Sequence, residues 1–379
     1  MHASSFTALL DEQPPREKQF VIVALLGRRD SPTDAVEDYC ELLGGVLEGH
    51  GSDFALARFQ WDERGWPGSL SDLWKKGAHW KGHWVLAQYT ALMWSRRGFP
   101  LLFLAVLGIL KIRKARLAVV FHDCGPYSGR RLVDRLRRAC QLFVMRSSYR
   151  LSERSMFNVP LESITWLPPK PIKASFIPVG ATIPVTMAPA RAARNGHEAR
   201  TIAVFCVTGG GDVGNEVPDI AFVAKAAAKR VTRVRLVTLG RGSAESEARF
   251  REALHGSPVE YQALGVLPAA EVSSVLAASD VALFVRGTIS TQRSSAIASI
   301  ANGVPLVAYA RPCLPGPLAE AGVVPVPWGH REALAQAALR VLTDGQLWLD
   351  LHQRSERAHQ KYFSWEAVAG RFAELLTGR

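Results

Sequence analysis

Four short runs carry most of the side chains able to do chemistry. The first apolar run, Gln19 to Leu26, ends in GRRDSPTD, which sets Arg28, Arg29, Asp30 and Asp34 within one loop. A second apolar run, Leu117 to Phe121, ends directly in His122-Asp123, a pair suited to proton transfer because imidazole titrates near neutral pH. The segment RGTISTQRSS, Arg286 to Ser295, combines hydroxyls with the cation Arg293 ahead of a helix whose N-cap is expected near Ser294. Hydroxyls, backbone N–H groups and a guanidinium together suit a diphosphate. The fourth run, Gly209 to Gly214, reads GGGDVG and satisfies the G-x-G-x-x-G spacing of a dinucleotide loop. A dinucleotide site would also need an acidic residue at the end of the next strand, and that strand ends Leu239-Gly240-Arg241. The glycines then serve close approach of a phosphate or of an opposing domain, or simply a turn.

Each run also has a plainer reading. His122 can cap a strand, Asp34 can serve the N-terminus of the helix that follows it, and Arg293 can be a surface cation on an ordinary capped helix.

The elements that must position these residues alternate. Short, continuously apolar runs read as buried strands at Gln19 to Leu26 and Leu117 to Phe121, and further strands are expected at Phe54 to Phe59, Trp84 to Tyr89, Leu142 to Met145 and Ser175 to Pro178. Val36, Tyr39, Leu42, Leu43, Val46 and Leu47 recur at helical spacing between Pro32 and Gly49. Trp61 to Trp84 is expected to be a loop-dominated insertion, and helical periodicity resumes from Leu101. Pro184 to Arg200 lacks strand pattern and aromatic residues and reads as a linker. Beyond it, strands are expected at Ile202 to Val207, Val234 to Leu239, Val281 to Val285 and Leu306 to Tyr309. Helices are expected around Pro218 to Arg230, Ala244 to Leu254, Ser294 to Asn302 and Arg331 to Leu342. Two Rossmann-like parallel-sheet domains in tandem account for this series. The division is 1–183, a linker at 184–200, 201–360, and a closing helix at 361–379.

The chain has 379 residues, and a length beyond that of a usual single core agrees with two domains. Its net charge of +12 is uneven: residues 1–190 hold 25 Lys/Arg and 17 Asp/Glu, which is +8, and residues 191–379 hold 21 and 17, which is +4. A basic surface attracts nucleic acid, an anionic bilayer or a phosphorylated substrate, and no nucleic-acid module accompanies the charge. Five cysteines without C-x-x-C spacing point to buried thiols in a reducing compartment, and no metal-ligand spacing is present. Met1 to Lys18 lacks the pattern of a secretory signal, and the longest apolar run, Phe99 to Leu110, is too short to span a bilayer, so a cytoplasmic protein is expected.

The run LPAAEVSSVLAASDVALFVRGTISTQRSSAIASIANGVPLVA resembles the donor-binding half of family 4 of the GT-B glycosyltransferases, through Ala278-Ser279-Asp280-Val281 and Ala301-Asn302-Gly303-Val304-Pro305. SFIPVGATIP, Ser175 to Pro184, resembles the family's segment at the end of the N-terminal domain, and FSWEAVAGRF, Phe363 to Phe372, its closing helix. Two features depart from that pattern. The family's Glu-x7-Glu pair aligns with Ser290 and Ala298, and the Arg and Lys that follow the first strand of its donor domain are replaced by Thr208 to Gly214.

The resemblance implies two Rossmann-like domains facing a cleft, with the C-terminal helix crossing back to the first domain. It implies transfer of a sugar from a nucleoside diphosphate, as co-substrate and without a further cofactor or held metal, to a glycan or lipid-linked acceptor in cell-surface polysaccharide synthesis. On this reading Thr208, Gly209, Gly210, Arg241, Gly287, Ser290, Thr291, Arg293, Ser294 and Ser295 hold the donor. His122 and Asp123 lie at the reacting sugar, and Arg28, Asp34 and Tyr89 face the acceptor. The basic, Trp-rich stretches Trp74 to Trp84 and Lys111 to Arg116 would dock on an anionic inner leaflet. A sugar-nucleotide epimerase and a non-catalytic scaffold of the same fold are the alternatives.

Overall fold

The structure, a computed structural model, describes residues 21–30, 34–49, 51–186, 199–208, 216–311, 313–314 and 316–378. The first half runs β1 (Val21–Leu26), α1 (Ala35–Gly49), β2 (Asp53–Arg58), α2 (Trp61–Lys76), β3 (Trp84–Tyr89), α3 (Phe103–Ile112), β4 (Arg116–Phe121), α4 (Leu132–Leu151), β5 (Arg154–Phe157) and β6 (Ala174–Phe176). The strands are paired in parallel in the order β2-β1-β3-β4-β5-β6.

The second half runs β7 (Arg200–Phe205), α5 (Glu216–Ala228), β8 (Val234–Leu239), α6 (Arg241–Glu245), α7 (Glu247–Leu254), β9 (Val259–Gly265), α8 (Ala269–Ala277) and β10 (Val281–Phe284). It continues through α9 (Ser294–Ala301), β11 (Leu306–Ala310), α10 (Gly316–Glu320), β12 (Val323–Pro327), α11 (Arg331–Thr343), α12 (Gly345–Ala358) and α13 (Trp365–Thr377). Its sheet order, β12-β11-β10-β7-β8-β9, reverses direction between β7 and β10, and the first sheet reverses between β1 and β3. Such switch points open crevices at the carboxyl ends of the strands, where loops from the two sides diverge.

The continuous apolar strands are covered on both faces. In the first sheet Val23, Leu25, Val85, Ala87, Val119 and Phe121 belong to one core, packed under α2, α3 and α4. Their alternating neighbours Ile22, Ala24, Leu86, Ala118 and Val120 belong to the other, because successive residues of a strand point to opposite faces. That second core is closed by α1 and by Val368, Ala369, Phe372 and Leu376 of α13, from the far end of the chain. Trp84 donates its indole N–H to the Leu376 carbonyl at 3.0 Å, and Trp365 donates to Ala181 at 2.8 Å. The crossing-back helix is therefore part of the first domain's core.

Three sequence-based expectations are corrected. Leu142 to Met145 lies inside α4, because Val144 and Met145 belong to that helix's buried face, and the strand comes later, at Arg154–Phe157. Trp61 to Lys76 is helical, with Gly65 at φ 73° and Pro67 marking a kink, and Trp61 stacks on Trp66 at 5.3 Å. Strands β9 and β12 are additional to the expected elements: Glu260 and Gln262 interrupt the apolar pattern of β9, and Pro325 and Pro327 argue against a strand at β12, which lies at the sheet edge where proline is tolerated. In the linker, Thr186 is bonded through its N–H to Ser273 and Asn302, and residues 187–198 lie outside the described set. Of the thiols, Cys40 and Cys124 are buried and Cys313 is exposed, contrary to a uniformly buried set. No helix among the described residues is long and apolar enough to cross a membrane.

Candidate active site between the two domains

A cavity of about 350 Å³ lies between the sheets, lined by the first turn of α1 and Tyr39, by His122 after β4, by Asn158 after β5, by the crossing segment at Val179 and Thr182, and by Gln292, Arg293 and Ser294. Four sheet-end loops and two helix N-termini, of α1 and α9, converge on it. At α9 the first-turn N–H groups of Ser294 and Ser295 lack intrahelical acceptors, and the helix's positive end lies at this space, whereas the first turn of α1 is capped by Asp34 and carries Glu37 and Asp38.

His122 is held between two amides. Its Nε2 lies 2.7 Å from Gln88 Oε1 and its Nδ1 lies 3.1 Å from Asn158 Nδ2. Gln88 also donates through Nε2 to the Leu86 carbonyl at 3.1 Å, which orients the amide so that its oxygen faces the imidazole. The arrangement selects the tautomer with the proton on Nε2 and a bare Nδ1 accepting from Asn158. Burial lowers the His122 pKa to about 4, with Asp34 opposing weakly. His122 is thus a neutral hydrogen-bonding group at neutral pH, and the expectation of an imidazole titrating near neutrality is corrected.

Arg293 reaches the cavity from the opposite domain. It stands at the N-cap of α9 with φ −91° and ψ 90°, so Ser294 is the first helical residue and not the cap. Arg293 Nε and Gln292 Oε1 are buried without a hydrogen-bond partner. Burial, and then the neighbouring Arg286, hold the Arg293 pKa below its ordinary value. A guanidinium kept beside a second one in a partly desolvated site has unspent affinity for an anion.

The remaining expected residues fall into distinct places. Gly287 has φ 77°, a left-handed conformation that lets the loop turn beside Arg293. Ser290 is half-buried, Ser294 exposed and Ser295 buried. Thr291 is fully buried and donates to the Asn158 carbonyl at 2.6 Å, while its own carbonyl accepts from Val179 N–H at 3.2 Å. Its hydroxyl joins the domains and is not offered to a donor. Thr208 is bonded to Glu216 through both N–H (3.0 Å) and hydroxyl (2.8 Å). Arg241 is exposed and electrostatically close to Cys206, as is Arg286. Gly209 and Gly210, with the rest of GGGDVG, lie outside the described residues.

On the acceptor side two expectations change. Asp34 is buried, accepts from Val36 and Glu37 N–H at 3.1 and 3.2 Å, and pairs with Arg58 at 3.1 Å, so its carboxylate caps α1. Tyr89 is 1% exposed and packs against Phe103 and Phe121, which makes it a core residue facing no acceptor. Arg28 donates its N–H to the Met93 carbonyl, and its side chain is half-buried. Asp123 is separated from His122 by the chain's alternation. It lines a different recess of about 420 Å³ with Arg96, Arg97, Tyr127 and Arg137. Polar cavity residues not expected from sequence are Asp38, Tyr39, Asn158, Thr182 and Gln292, and burial, then the neighbouring Asp34, raises the Asp38 pKa above the ordinary carboxylate value. Asn158 follows β5, whose short RSMF run carries no strong strand signal in the sequence, and Tyr39 reads only as one apolar position of an amphipathic helix.

No protein-family profile and no curated protein sequence matches the chain. Solved structures do match along nearly all of it. HepE of Anabaena, in complex with UDP and glucose, superposes with a TM-score of 0.64 at 13% identity, covering 95% of this chain and 100% of that one. Sucrose-phosphate synthase from Thermosynechococcus elongatus gives 0.65 at 16% identity, covering 95% and 99%. A UDP-N-acetylglucosamine 2-epimerase-like protein of Listeria monocytogenes gives 0.60 at 12%, covering 95% and 96%. The two-sheet architecture facing a cleft is the GT-B fold.

Proposed function

We propose that the protein is a glycosyltransferase that binds a nucleoside-diphosphate sugar in the interdomain cavity. The observation that carries this reading is the meeting of Arg293 and the α9 N-terminus from one domain with His122 and Asn158 from the other. Departure of a nucleoside diphosphate develops negative charge, and fixed cationic groups in a partly desolvated site stabilise it with little reorganisation. Arg293, with Arg286 beside it, supplies that charge in place of a metal ion or further cofactor, at the loop where the family pattern would have Glu and the chain has Ser290. His122, neutral and oriented by Gln88, presents its ring edge to the reacting sugar. The complex of HepE with UDP and glucose, on the same fold, supports a nucleotide sugar as the donor class.

The acceptor enters from the N-terminal domain, and a glycan or lipid-linked glycan of a cell-surface polysaccharide pathway, met at the inner face of the plasma membrane, fits its basic character. A thermal-shift panel of UDP-, GDP-, TDP- and CMP-sugars tests the donor directly, because a ligand confined to the native state raises the midpoint by mass action. A rise with one class that Arg293→Ala abolishes supports the assignment. No rise with any of them removes it, and a rise without sugar release or transfer leaves a binding scaffold in place of an enzyme.

A further inference from the structure

Between residues 101 and 150 the chain carries eleven Lys/Arg and two Asp/Glu, so the basic excess of the first half is concentrated there. In the stretches expected from sequence to face a membrane, Lys75, Lys76, Lys81 and Lys114 are exposed, but the arginines lie against tryptophans and no exposed apolar row runs beside the charge. Trp84 is 2% exposed with Arg116 stacked on it at 4.0 Å, and Arg113 lies 3.8 Å over Trp74 and donates to its carbonyl. The outer face of α4 is different. Leu132, Leu136 and Phe143 are 80%, 63% and 56% exposed, and their spacing of four and seven sets them along one stripe. Arg131, Arg135, Arg138 and Arg146 are exposed along one flank of that stripe. The loop beside it is fixed to the same helix by Arg137 donating to the Arg97 carbonyl and Gln141 donating to the Gly98 carbonyl, both at 2.9 Å, and it adds exposed Leu101 and Leu102.

We infer that this face of α4 docks on an anionic phospholipid bilayer. Aliphatic side chains standing proud of a row of arginines match the two layers of such a surface: the leucines and Phe143 enter the acyl boundary while the guanidiniums meet lipid phosphates. A duplex or single-stranded nucleic acid would satisfy the arginines and leave Leu132 and Leu136 in water. A second copy of the same face would oppose arginine with arginine. The only acidic residue of 130–150, Asp134, is buried and pairs with Arg137 at 3.1 Å, so it does not weaken the field outside. The face adjoins the recess that holds Asp123, Arg96 and Arg97, so docking brings lipid headgroups to the mouth of that recess.

Co-sedimentation of the full chain with vesicles tests this without any nucleotide, so its outcome is separate from that of the donor assignment. Binding is expected to mixed phosphatidylglycerol and phosphatidylcholine vesicles, to weaken with salt, and to be absent with phosphatidylcholine alone. Arg135→Glu with Arg138→Glu is expected to lower the apparent affinity about tenfold or more. Leu132→Ser, Leu136→Ser and Phe143→Ser together are expected to do the same while leaving the thermal midpoint within a few degrees, because all three sites are exposed. Equal binding to neutral vesicles, or unchanged binding by both variants, overturns the inference. So does a concentration-dependent dimer in sedimentation velocity that the serine variant disperses, or tighter binding to random-sequence RNA that the serine variant leaves intact.

Discussion

The Thr291 hydroxyl donates to the Asn158 carbonyl at 2.6 Å, and the Asn158 side chain in turn meets His122 Nδ1 at 3.1 Å. One buried threonine of the C-terminal domain is thereby tied to the residue that orients the imidazole of the N-terminal domain. The same loop carries Arg293 two residues on, so the position of the cation and the position of the histidine are coupled through a single backbone group.

Thr291→Val keeps the shape of that side chain and removes the donor. The Asn158 carbonyl would be left in a dry interface without its partner, a loss of about 1–3 kcal/mol. Urea unfolding should show a lower midpoint, and donor affinity should fall along with it because the two domain faces lose their register. A variant as stable as the parent would mean that water or a neighbour replaces the bond.

Acid should weaken the protein through His122. Its folded pKa is about 4 and its unfolded value near 6.5, so between these limits the unfolded chain binds more protons than the native one. Stability therefore falls as pH drops from about 6.5 toward 4, by about 3 kcal/mol from this group. His122→Gln has nothing to titrate, and its unfolding free energy should converge on that of the parent across this window. Parallel curves for parent and variant between these pH values would show that His122 is not held neutral. Activity, for the same reason, should show no limb near pH 6.5 due to His122.

The sequence was most informative where one physical rule decided the outcome. Gln19 to Leu26 reads as a buried strand because a doubly covered parallel sheet leaves few polar positions, and β1 lies there. The loop at Arg293 was visible because a strand end, hydroxyls and a cation coincide ahead of a helix, and it does line the cavity. Leu142 to Met145 misled because four apolar residues in a row fit the buried face of a helix as well as a strand, and twenty residues of α4 decide the matter. Tyr89 misled because a strand's last residue can point into the core as readily as toward the cleft. The crossing of α13 under α1 depends on contacts between residues almost three hundred positions apart, such as Trp84 with Leu376, which no local pattern carries; its expectation came from the family resemblance.

That crossing can be broken at its entry. A Cβ on Gly180 would stand 2.8 to 3.0 Å from three carbons of the Trp365 indole, and the indole is itself bonded to Ala181 and packed edge-on against Tyr39 at 5.2 Å. A rigid ring with two attachments cannot give way cheaply, so Gly180→Ala should cost about 1–3 kcal/mol. Phe372→Ala, at a fully buried position of the same helix, should cost about 3–5 kcal/mol. Hydrogen exchange would place the loss: amides of β1, β3 and β4, which α13 covers, should lose protection first in both variants. Loss spread evenly over both sheets would mean that α13 is no more than a peripheral strap.

Arg293 provides the sharpest separation of binding from folding. It is half-buried, its Nε has no hydrogen-bond partner, and burial together with Arg286 already depresses its pKa, so removing it relieves repulsion and leaves no acceptor stranded. Arg293→Ala should therefore unfold at the parent's midpoint or above it while losing donor affinity by about tenfold to a hundredfold, the worth of one charge-assisted bond or a bidentate pair. Arg293→Lys restores the charge without the planar fork, and should recover only part of that loss. Isothermal titration with the nucleoside diphosphate that the thermal panel selects, run on parent and both variants, gives the three affinities. If alanine binds as tightly as arginine, the anion is held elsewhere, and the first-turn N–H groups of α9 beside Arg286 become the place to look, because the α1 N-terminus is already capped by Asp34 and carries Glu37 and Asp38.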